Sequence, residues 1–148
     1  MISRIDMRPL FTQTQLVLLV LFSCVLTPVA ATEMTKVMIY VTSSNKSLHQ
    51  SAINNANALI QHYGKENIAV EIVANGAGVG IAHSKNSMSK KVSSLLGHGV
   101  RLSVCGTTLN RMKKSGNPIP LLDAAVHVSN GTVRAVELQK QGYSYLKP

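Results

Sequence analysis

Gly99-Val-Arg-Leu-Ser-Val-Cys105-Gly-Thr-Thr-Leu109 predicts a buried strand that enters a tight turn and continues as a helix. Residues alternate along this strand between an apolar face and a second face that carries Arg101, Ser103 and Cys105. The small residues 106–108 then open the helix, with Cys105 at the junction. A strand that runs directly into a helix is the repeating unit of an α/β sheet.

The flanking sequence repeats this unit. Continuous apolar runs predict buried strands, and apolar residues spaced three and four apart predict amphipathic helices. The further predicted strands are 36–41, 68–74, 124–128 and 143–146, and the predicted helices are 48–63, 88–97, 109–112 and 132–141. Glu71 lies inside the second strand and suggests that this strand is at an edge of the sheet. The alternation predicts an open three-layer α/β sandwich with a mostly parallel sheet of about five strands.

The first 31 residues have the pattern of a signal peptide. Arg4 and Arg8 precede the apolar run 16–22, and small residues at positions 29–31 form a cleavage site. We expect cleavage after Ala31, leaving residues 32–148 as one periplasmic or secreted domain. A retained membrane anchor is one alternative, although the apolar run is short for a span. A lipoprotein acylated at Cys24 is the other.

Cleavage would leave Cys105 as the only cysteine of the mature chain. The N–H groups and the positive dipole end of the following helix favour the thiolate form of a cysteine in this position. A single thiol cannot form an intramolecular disulfide, so its chemistry would involve a small molecule or another protein. The alternative is that Cys105 is a small buried residue that only packs in the core.

The mature chain is basic. It carries 13 Lys and Arg residues against 5 Asp and Glu residues, a net charge of +8. This charge favours anionic partners, such as an acidic protein, a lipid surface or a small anion. Nucleic acid is a poor fit, because the predicted mature chain has no Trp or Phe and is expected outside the cytosol. About 117 residues suffice for one core without disulfides.

The loops that follow the strands predict where a ligand binds. In open parallel sheets, ligands bind at the carboxyl ends of the strands, where the chain order reverses. These ends carry polar, small or glycine-rich segments in this sequence. The segments are 42–45, 75–78, 105–108 and 129–131. We expect Cys105 to be the reactive residue in this ring, and Asn75, Gly76, Gly106, Thr107 and Thr108 to bind the substrate.

Other motifs are weak. Glycines 76, 78 and 80 have the wrong spacing for a dinucleotide loop. The five histidines show no metal-ligand spacing with the cysteine, although His83 could line the pocket. Arg111, Lys113 and Lys114 form either a solvated basic face or a docking patch for an acidic partner. The acidic residues are scattered, so we expect no metal and no cofactor.

Two segments resemble a known family. Residues 99–109 are similar to the cysteine segment of the DsrE/DsrF-like sulfur-relay family, and residues 131–148 resemble its closing helix and Gly-Tyr-x-Tyr-aliphatic-x-Pro tail. Residues 75–79 are similar to its second-strand loop. The resemblance implies a flavodoxin-like sheet, homo-oligomers and a cysteine that carries sulfur as a persulfide. By residue match this cysteine is Cys105.

The sequence leaves two functions open. In the first, the protein is an exported sulfur-transfer or persulfide-carrier protein, and Cys105 accepts sulfur from a small sulfur-containing anion or a persulfidated protein. In the second, the same fold is a non-catalytic small-anion-binding or scaffold domain in which Cys105 only packs. The well-known relays of the family are cytosolic, so export makes tRNA modification an improbable destination for the sulfur.

Overall fold

The computed structural model describes residues 33–148. The predicted signal peptide, including Cys24 and the cleavage site after Ala31, lies outside the described residues. Within residues 33–148, five strands, four α-helices and one 3-10 helix follow in chain order. They are β1 (Thr35–Val41), α1 (Lys46–Tyr63), β2 (Ile68–Ala74), the 3-10 helix (Gly76–Ala82), α2 (Ser89–Gly97), β3 (Arg101–Cys105), α3 (Gly106–Lys114), β4 (Val126–Val128), α4 (Gly131–Lys140) and β5 (Ser144–Leu146).

All strand pairs are parallel, and the strand order is β4-β3-β2-β1-β5. The chain moves outward from β1 to β4 and then returns to the far side of β1 to add β5. Because crossover connections between parallel strands are right-handed, this reversal moves the last helix to the other face of the sheet. The predicted α/β sandwich with a flavodoxin-like sheet is confirmed.

The two faces of the sheet have separate cores. The larger core buries one face beneath α1, α2, the 3-10 helix and α3, and its fully buried members include Ile39, Ile72 and Leu102. The smaller core lies beneath α4 and consists of Met38, Val73, Ala135 and Leu138. Since helices cover both faces, the inner strands are apolar along most of their length.

The prediction that β2 is an edge strand is wrong. β2 pairs with β1 on one side and with β3 on the other, and Glu71 is only 2% exposed. Its carboxylate lies beneath α4, where it accepts hydrogen bonds from the Arg134 side chain and from the Ser103 hydroxyl. Charged residues are rare in central strands, but one with a buried cationic partner is tolerated there.

Three other segments differ from the expectation. The helix after the cysteine begins at Gly106, as expected, but ends at Lys114, two residues beyond the predicted apolar stretch 109–112, because its last turn is basic and exposed. β4 is only three residues long. The segment after Asn75, predicted as a loop, contains a 3-10 helix. None of the helices in residues 33–148 is long and apolar enough to cross a membrane.

Candidate functional site

Cys105 is the last residue of β3 and the N-cap of α3, as predicted. Its side chain is only 2% exposed and packs against the larger core. Within residues 33–148, it is the one free cysteine. The strand fixes the backbone of Cys105, and the helix directs its first N–H groups toward the sulfur.

Hydrogen-bond donors surround this sulfur atom. Burial alone raises the pKa of the Cys105 thiol. Hydrogen bonds from the Thr108 hydroxyl and from the backbone N–H groups of Gly131, Thr108 and Thr107 outweigh burial, so the pKa lies below that of an ordinary cysteine. The site therefore stabilises the thiolate, which is the nucleophilic form.

Thr108 orients its hydroxyl proton through a second contact. The backbone N–H of Gly76 donates to Thr108 Oγ1 at 3.2 Å, so this oxygen is an acceptor on that side. The hydroxyl proton is then available for the sulfur of Cys105. The loop after β2 thus supports the site through Thr108.

A second helix also points its N-terminus at the sulfur. α4 begins at Gly131, and the side chain of its N-cap residue Asn130 accepts hydrogen bonds from the N–H groups of the two residues that follow Gly131. The N–H of Gly131 is not used by this cap, and it is one of the donors that lower the pKa of Cys105. Both the N–H and the hydroxyl of Thr107 bond to the carbonyl oxygen of Ser129, which joins the first turn of α3 to the loop before α4.

The topology accounts for this pair of helix termini. β3 and β4 are neighbours, but the helices that follow them lie on opposite faces of the sheet. A crevice opens at the carboxyl ends of two such strands, and ligands of open α/β folds bind in crevices of this kind. Cys105, the last residue of β3, lies at this crevice between β3 and β4. Its sulfur therefore faces two positive helix ends rather than one.

Asn75, predicted to bind substrate, uses its side chain within the protein. Its Oδ1 accepts from the N–H of Gly76 at 2.9 Å. Its Nδ2 donates to the hydroxyl oxygens of Tyr40 at 2.7 Å and Thr132 at 3.2 Å. Asn75 therefore connects β1, β2 and the first turn of α4.

Glycine is required by close packing at three positions around the site. A Cβ atom at Gly106 would lie 2.9 Å from the carbonyl oxygen of Val128, and one at Gly131 would lie 2.9 Å from Cβ of Asn75. A Cβ atom at Gly78 would lie 2.1 Å from the carbonyl oxygen of Val41. The glycine at position 78 is thus explained by the packing of the 3-10 helix against β1.

The remaining sequence candidates lie apart from these contacts. His83 forms an isolated bridge with Leu121, and its Nδ1 accepts from the N–H of Lys85. Residues Arg111, Lys113 and Lys114 are exposed on the last turn of α3, at the end of the helix opposite the sulfur. In the part of the chain that the structure describes, no group of three or more His, Cys, Asp or Glu side chains could hold a metal ion.

Of the predicted residues, Thr107 and Thr108 act on Cys105 directly, and Gly106 lies between them and the cysteine. Gly76 is linked to the site through its hydrogen bond to Thr108, and Asn75 through its hydrogen bond to Gly76. The structure adds an N–H donor from Gly131, whose segment 129–131 was expected at this end of the sheet but was not among the predicted binding residues. The polar segment 129–131 after β4 pointed to this part of the chain. The donor role of Gly131 became evident only from the position of α4 on the opposite face of the sheet. Tyr40 and Thr132 were also missed, because their hydrogen bonds join residues distant in sequence.

Comparisons with known proteins agree with this fold. The family model of the DsrE/DsrF-like family matches residues 35–148. A solved structure of a protein of unknown function, MTH1491 from Methanobacterium thermoautotrophicum, is 29% identical, covers 77% of this chain and 99% of its own, and superposes with a TM-score of 0.68.

A second solved structure is more distant. It is a conserved protein of unknown function, BT1422 from Bacteroides thetaiotaomicron, which is 18% identical, covers 76% of this chain and 94% of its own, and has a TM-score of 0.46. No curated protein matches the chain. The family match includes every element from β1 to β5, and the chain therefore belongs to the DsrE/DsrF-like family.

Proposed function

We propose that the protein is a sulfur carrier, and that the thiolate of Cys105 accepts one sulfur atom from a donor and holds it as a persulfide. The family is associated with sulfur relay. The observation that carries the proposal is the position of Cys105 at the N-terminus of α3, which hydrogen bonds between Thr107 and Ser129 join to the loop before α4. N–H donors from both helices lower the pKa of its thiol. This environment favours an anionic sulfur, and a persulfide at the same position is anionic as well.

The proposed step is a displacement at sulfur. With thiosulfate as donor, the Cys105 thiolate attacks the outer, sulfane sulfur, a new S–S bond forms, and the old S–S bond breaks. Its electron pair leaves with sulfite, and Cys105 becomes a persulfide anion. A polysulfide or a persulfidated protein would react in the same way, with a shorter polysulfide or a protein thiolate as leaving group. No external oxidant or reductant is consumed.

The absence of a second cysteine in residues 33–148 supports a carrier in particular. A persulfide next to a resolving thiol would release its sulfur and leave a disulfide. Cys105 has no such neighbour among the described residues, so the sulfur would stay until an acceptor takes it. The hydrogen bonds that stabilise the thiolate would also hold the added sulfur.

A second function is favoured by a different observation. The Cys105 side chain is 2% exposed and belongs to the larger core, as expected of a cysteine that only packs. In that case the domain would bind a small anion or act as a scaffold without covalent chemistry. Access of a donor to the sulfur separates the two functions.

The test is cyanolysis of the folded protein. The protein is incubated with thiosulfate or polysulfide, freed of excess donor, and treated with cyanide, which converts a persulfide to thiolate and thiocyanate. We expect close to one thiocyanate per wild-type chain and none from Cys105→Ser. If no donor gives thiocyanate from folded wild-type protein, the carrier function is contradicted and the binding-domain function is preferred.

We also propose that the chain is exported and cleaved after Ala31. Arg4, Arg8 and the apolar run 16–22 support this proposal. N-terminal sequencing of the product made by the native host should start at Thr32. A product that starts at an acylated Cys24 would place the protein on a membrane surface, and one that retains Met1 would contradict cleavage.

We also propose an acidic partner protein and a homo-oligomeric contact. The exposed residues Arg111, Lys113 and Lys114 give α3 a basic end that suits an acidic donor or acceptor protein. Homo-oligomers are proposed from the family resemblance, and Val133 and Val136, both nearly half exposed on α4, are compatible with such a contact. Sedimentation of the purified chain would give the number of subunits.

A further inference from the structure

A buried ion pair lies beneath α4, on the opposite side of the helix from solvent. Arg134 donates two hydrogen bonds to the carboxylate of Glu71, from Nε to Oε1 at 2.8 Å and from Nη2 to Oε2 at 2.7 Å. The hydroxyl of Ser103 donates to Oε1 at 2.6 Å. The side chain of Glu71 is 2% exposed and that of Arg134 is 19% exposed. Two parallel hydrogen bonds fix the orientation of the Arg134 guanidinium relative to the Glu71 carboxylate as well as the distance between them.

The pair joins α4 to the centre of the sheet near the candidate site. Arg134 lies three residues after Gly131, so it occupies the same first turn that presents an N–H group to the sulfur. Glu71 lies on β2, and Ser103 lies on β3 two residues before Cys105. A shift or rotation of α4 would break the two-bond contact and move Gly131.

We propose that the buried ion pair between Glu71 and Arg134 positions the first turn of α4 against the sulfur of Cys105. Both are positioning residues, because neither contacts the sulfur. The inference rests on the proposed function, in which this sulfur reacts as a thiolate. Apolar packing alone would suffice to hold α4 on the sheet and would not need a buried carboxylate in a central strand. Alignment of the helix terminus with the sulfur requires a rigid, directional contact, and the two-bond ion pair provides one.

Other charged groups near the pair define the controls. Arg101 on β3 also approaches the Glu71 carboxylate, with its Nε 3.6 Å from Oε2, but its side chain is half exposed and it is not part of α4. Arg134 in addition faces Glu137 at 3.7 Å, and Tyr143 contributes to its charge environment. The group on β1 that aligns with Glu71 is Met38, which is apolar.

The experiment measures the thiol pKa of Cys105 from the pH dependence of iodoacetamide alkylation in folded protein. The variants are Glu71→Gln, Arg134→Met and Arg134→Lys, with Arg101→Met as the matched control. If the pair acted only through its charges, Glu71→Gln and Arg134→Met would shift the thiol pKa in opposite directions. Removal of a negative charge lowers the thiol pKa, and removal of a positive charge raises it. Positioning makes both raise the thiol pKa, since either change loosens α4.

We expect Glu71→Gln and Arg134→Met each to raise the thiol pKa by roughly 0.5 to 1, the effect of weakening one hydrogen bond to a charged sulfur. Arg134→Lys keeps the charge but loses the paired geometry, so it should raise the pKa in the same direction. Arg101→Met should leave it nearly unchanged. Opposite signs for the first two variants, or an equal effect of Arg101→Met, would overturn the inference.

Arg134→Lys makes the smallest change and serves if the other two variants do not fold. A thiol pKa for folded Arg134→Lys equal to that of wild type would itself overturn the inference. The outcome is separable from that of the proposed function. If wild-type Cys105 has an ordinary thiol pKa, the proposed function loses its premise. If wild-type Cys105 has a low pKa that none of the variants changes, only the positioning role is contradicted.

Discussion

The backbone N–H of Gly76 donates a 3.2 Å hydrogen bond to the hydroxyl oxygen of Thr108. Gly76 begins the 3-10 helix after β2, and Thr108 is in the first turn of α3. The bond fixes the oxygen of Thr108 as an acceptor from one side, so its proton can be donated to the sulfur of Cys105. The first turns of two helices that are distant in sequence thus cooperate to stabilise one thiolate.

Thr108→Val should therefore raise the thiol pKa of Cys105. The valine keeps the shape of threonine but donates no hydrogen bond to the sulfur, while burial continues to raise the pKa. In wild type, the alkylation rate should stay high as the pH falls below the ordinary cysteine pKa and drop only through the lowered pKa. In Thr108→Val, that drop should occur at higher pH.

Thr108→Ser is the matched control, because it retains the hydroxyl and should keep most of the pKa depression. The N–H of Gly76 also donates to Oδ1 of Asn75 at 2.9 Å, so it keeps a partner when Thr108 is replaced. We therefore expect Thr108→Val to lower the free energy of unfolding by no more than about 1 to 3 kcal/mol. An unchanged pH profile for Thr108→Val would contradict the role of its hydroxyl.

Gly131→Ala should disturb the second helix terminus. The added Cβ would lie 2.9 Å from Cβ of Asn75, so the first turn of α4 or the Asn75 side chain must move. We expect a loss of about 1 to 3 kcal/mol in stability and a higher thiol pKa, measured by urea unfolding and by the pH dependence of alkylation.

Gly97→Ala is the control for that substitution. Gly97 is the last residue of α2, and a Cβ atom there would meet no other atom within 4 Å. It should be neutral or stabilising by up to about 1 kcal/mol, since alanine favours helix over glycine. A Gly131→Ala protein with wild-type stability and a wild-type thiol pKa would disprove the close packing of α4 on Asn75.

Arg134→Ala should be strongly destabilising. It leaves the carboxylate of Glu71, 2% exposed, without its two-bond partner. Loss of one member of a buried ion pair costs about 3 to 5 kcal/mol. Arg101→Ala removes the half-exposed neighbour of the same carboxylate and should cost about 1 kcal/mol or less. Urea unfolding of both variants at neutral pH measures the difference, and equal losses would contradict the assignment.

Much of this fold could be predicted from short-range patterns. Apolar runs located all five strands, and Cys105 was correctly placed at the end of one strand and the start of a helix. These features depend on residues that are neighbours in sequence. The start of α3 was predicted from the small residues that follow Cys105, but its end at Lys114 was missed by two residues, because the last turn is basic and exposed rather than apolar.

Long-range contacts could not be predicted in this way. Glu71 suggested an edge strand because its partner, Arg134, is 63 residues away along the chain. The segment 129–131 was expected near Cys105, but the N–H of Gly131 could be identified as a donor to the sulfur only once the strand order was known, since the reversal after β4 moves α4 to the opposite face. Local sequence thus predicted the position of Cys105 between a strand and a helix. The strand order determined which groups from distant parts of the chain surround it.

The near-complete burial of Cys105 predicts selectivity by size. Since its side chain is 2% exposed, a small reagent such as iodoacetamide should reach the sulfur of the folded protein much faster than a bulky fluorescein maleimide does. Each rate is compared with that of the same reagent on urea-unfolded protein, which cancels intrinsic reactivity. Equal protection against both reagents would indicate that the sulfur is inaccessible in the folded state and would favour the binding-domain function.

The central claim, that Cys105 carries sulfur, is tested most directly by intact mass spectrometry of the folded chain after incubation with thiosulfate or polysulfide. The account predicts one added sulfur atom on wild type, removed by dithiothreitol or cyanide and absent from Cys105→Ser. Thr108→Val should acquire it more slowly below the ordinary cysteine pKa, because less thiolate is present. An unmodified wild-type mass with every donor, or equal modification of Cys105→Ser, would contradict the account.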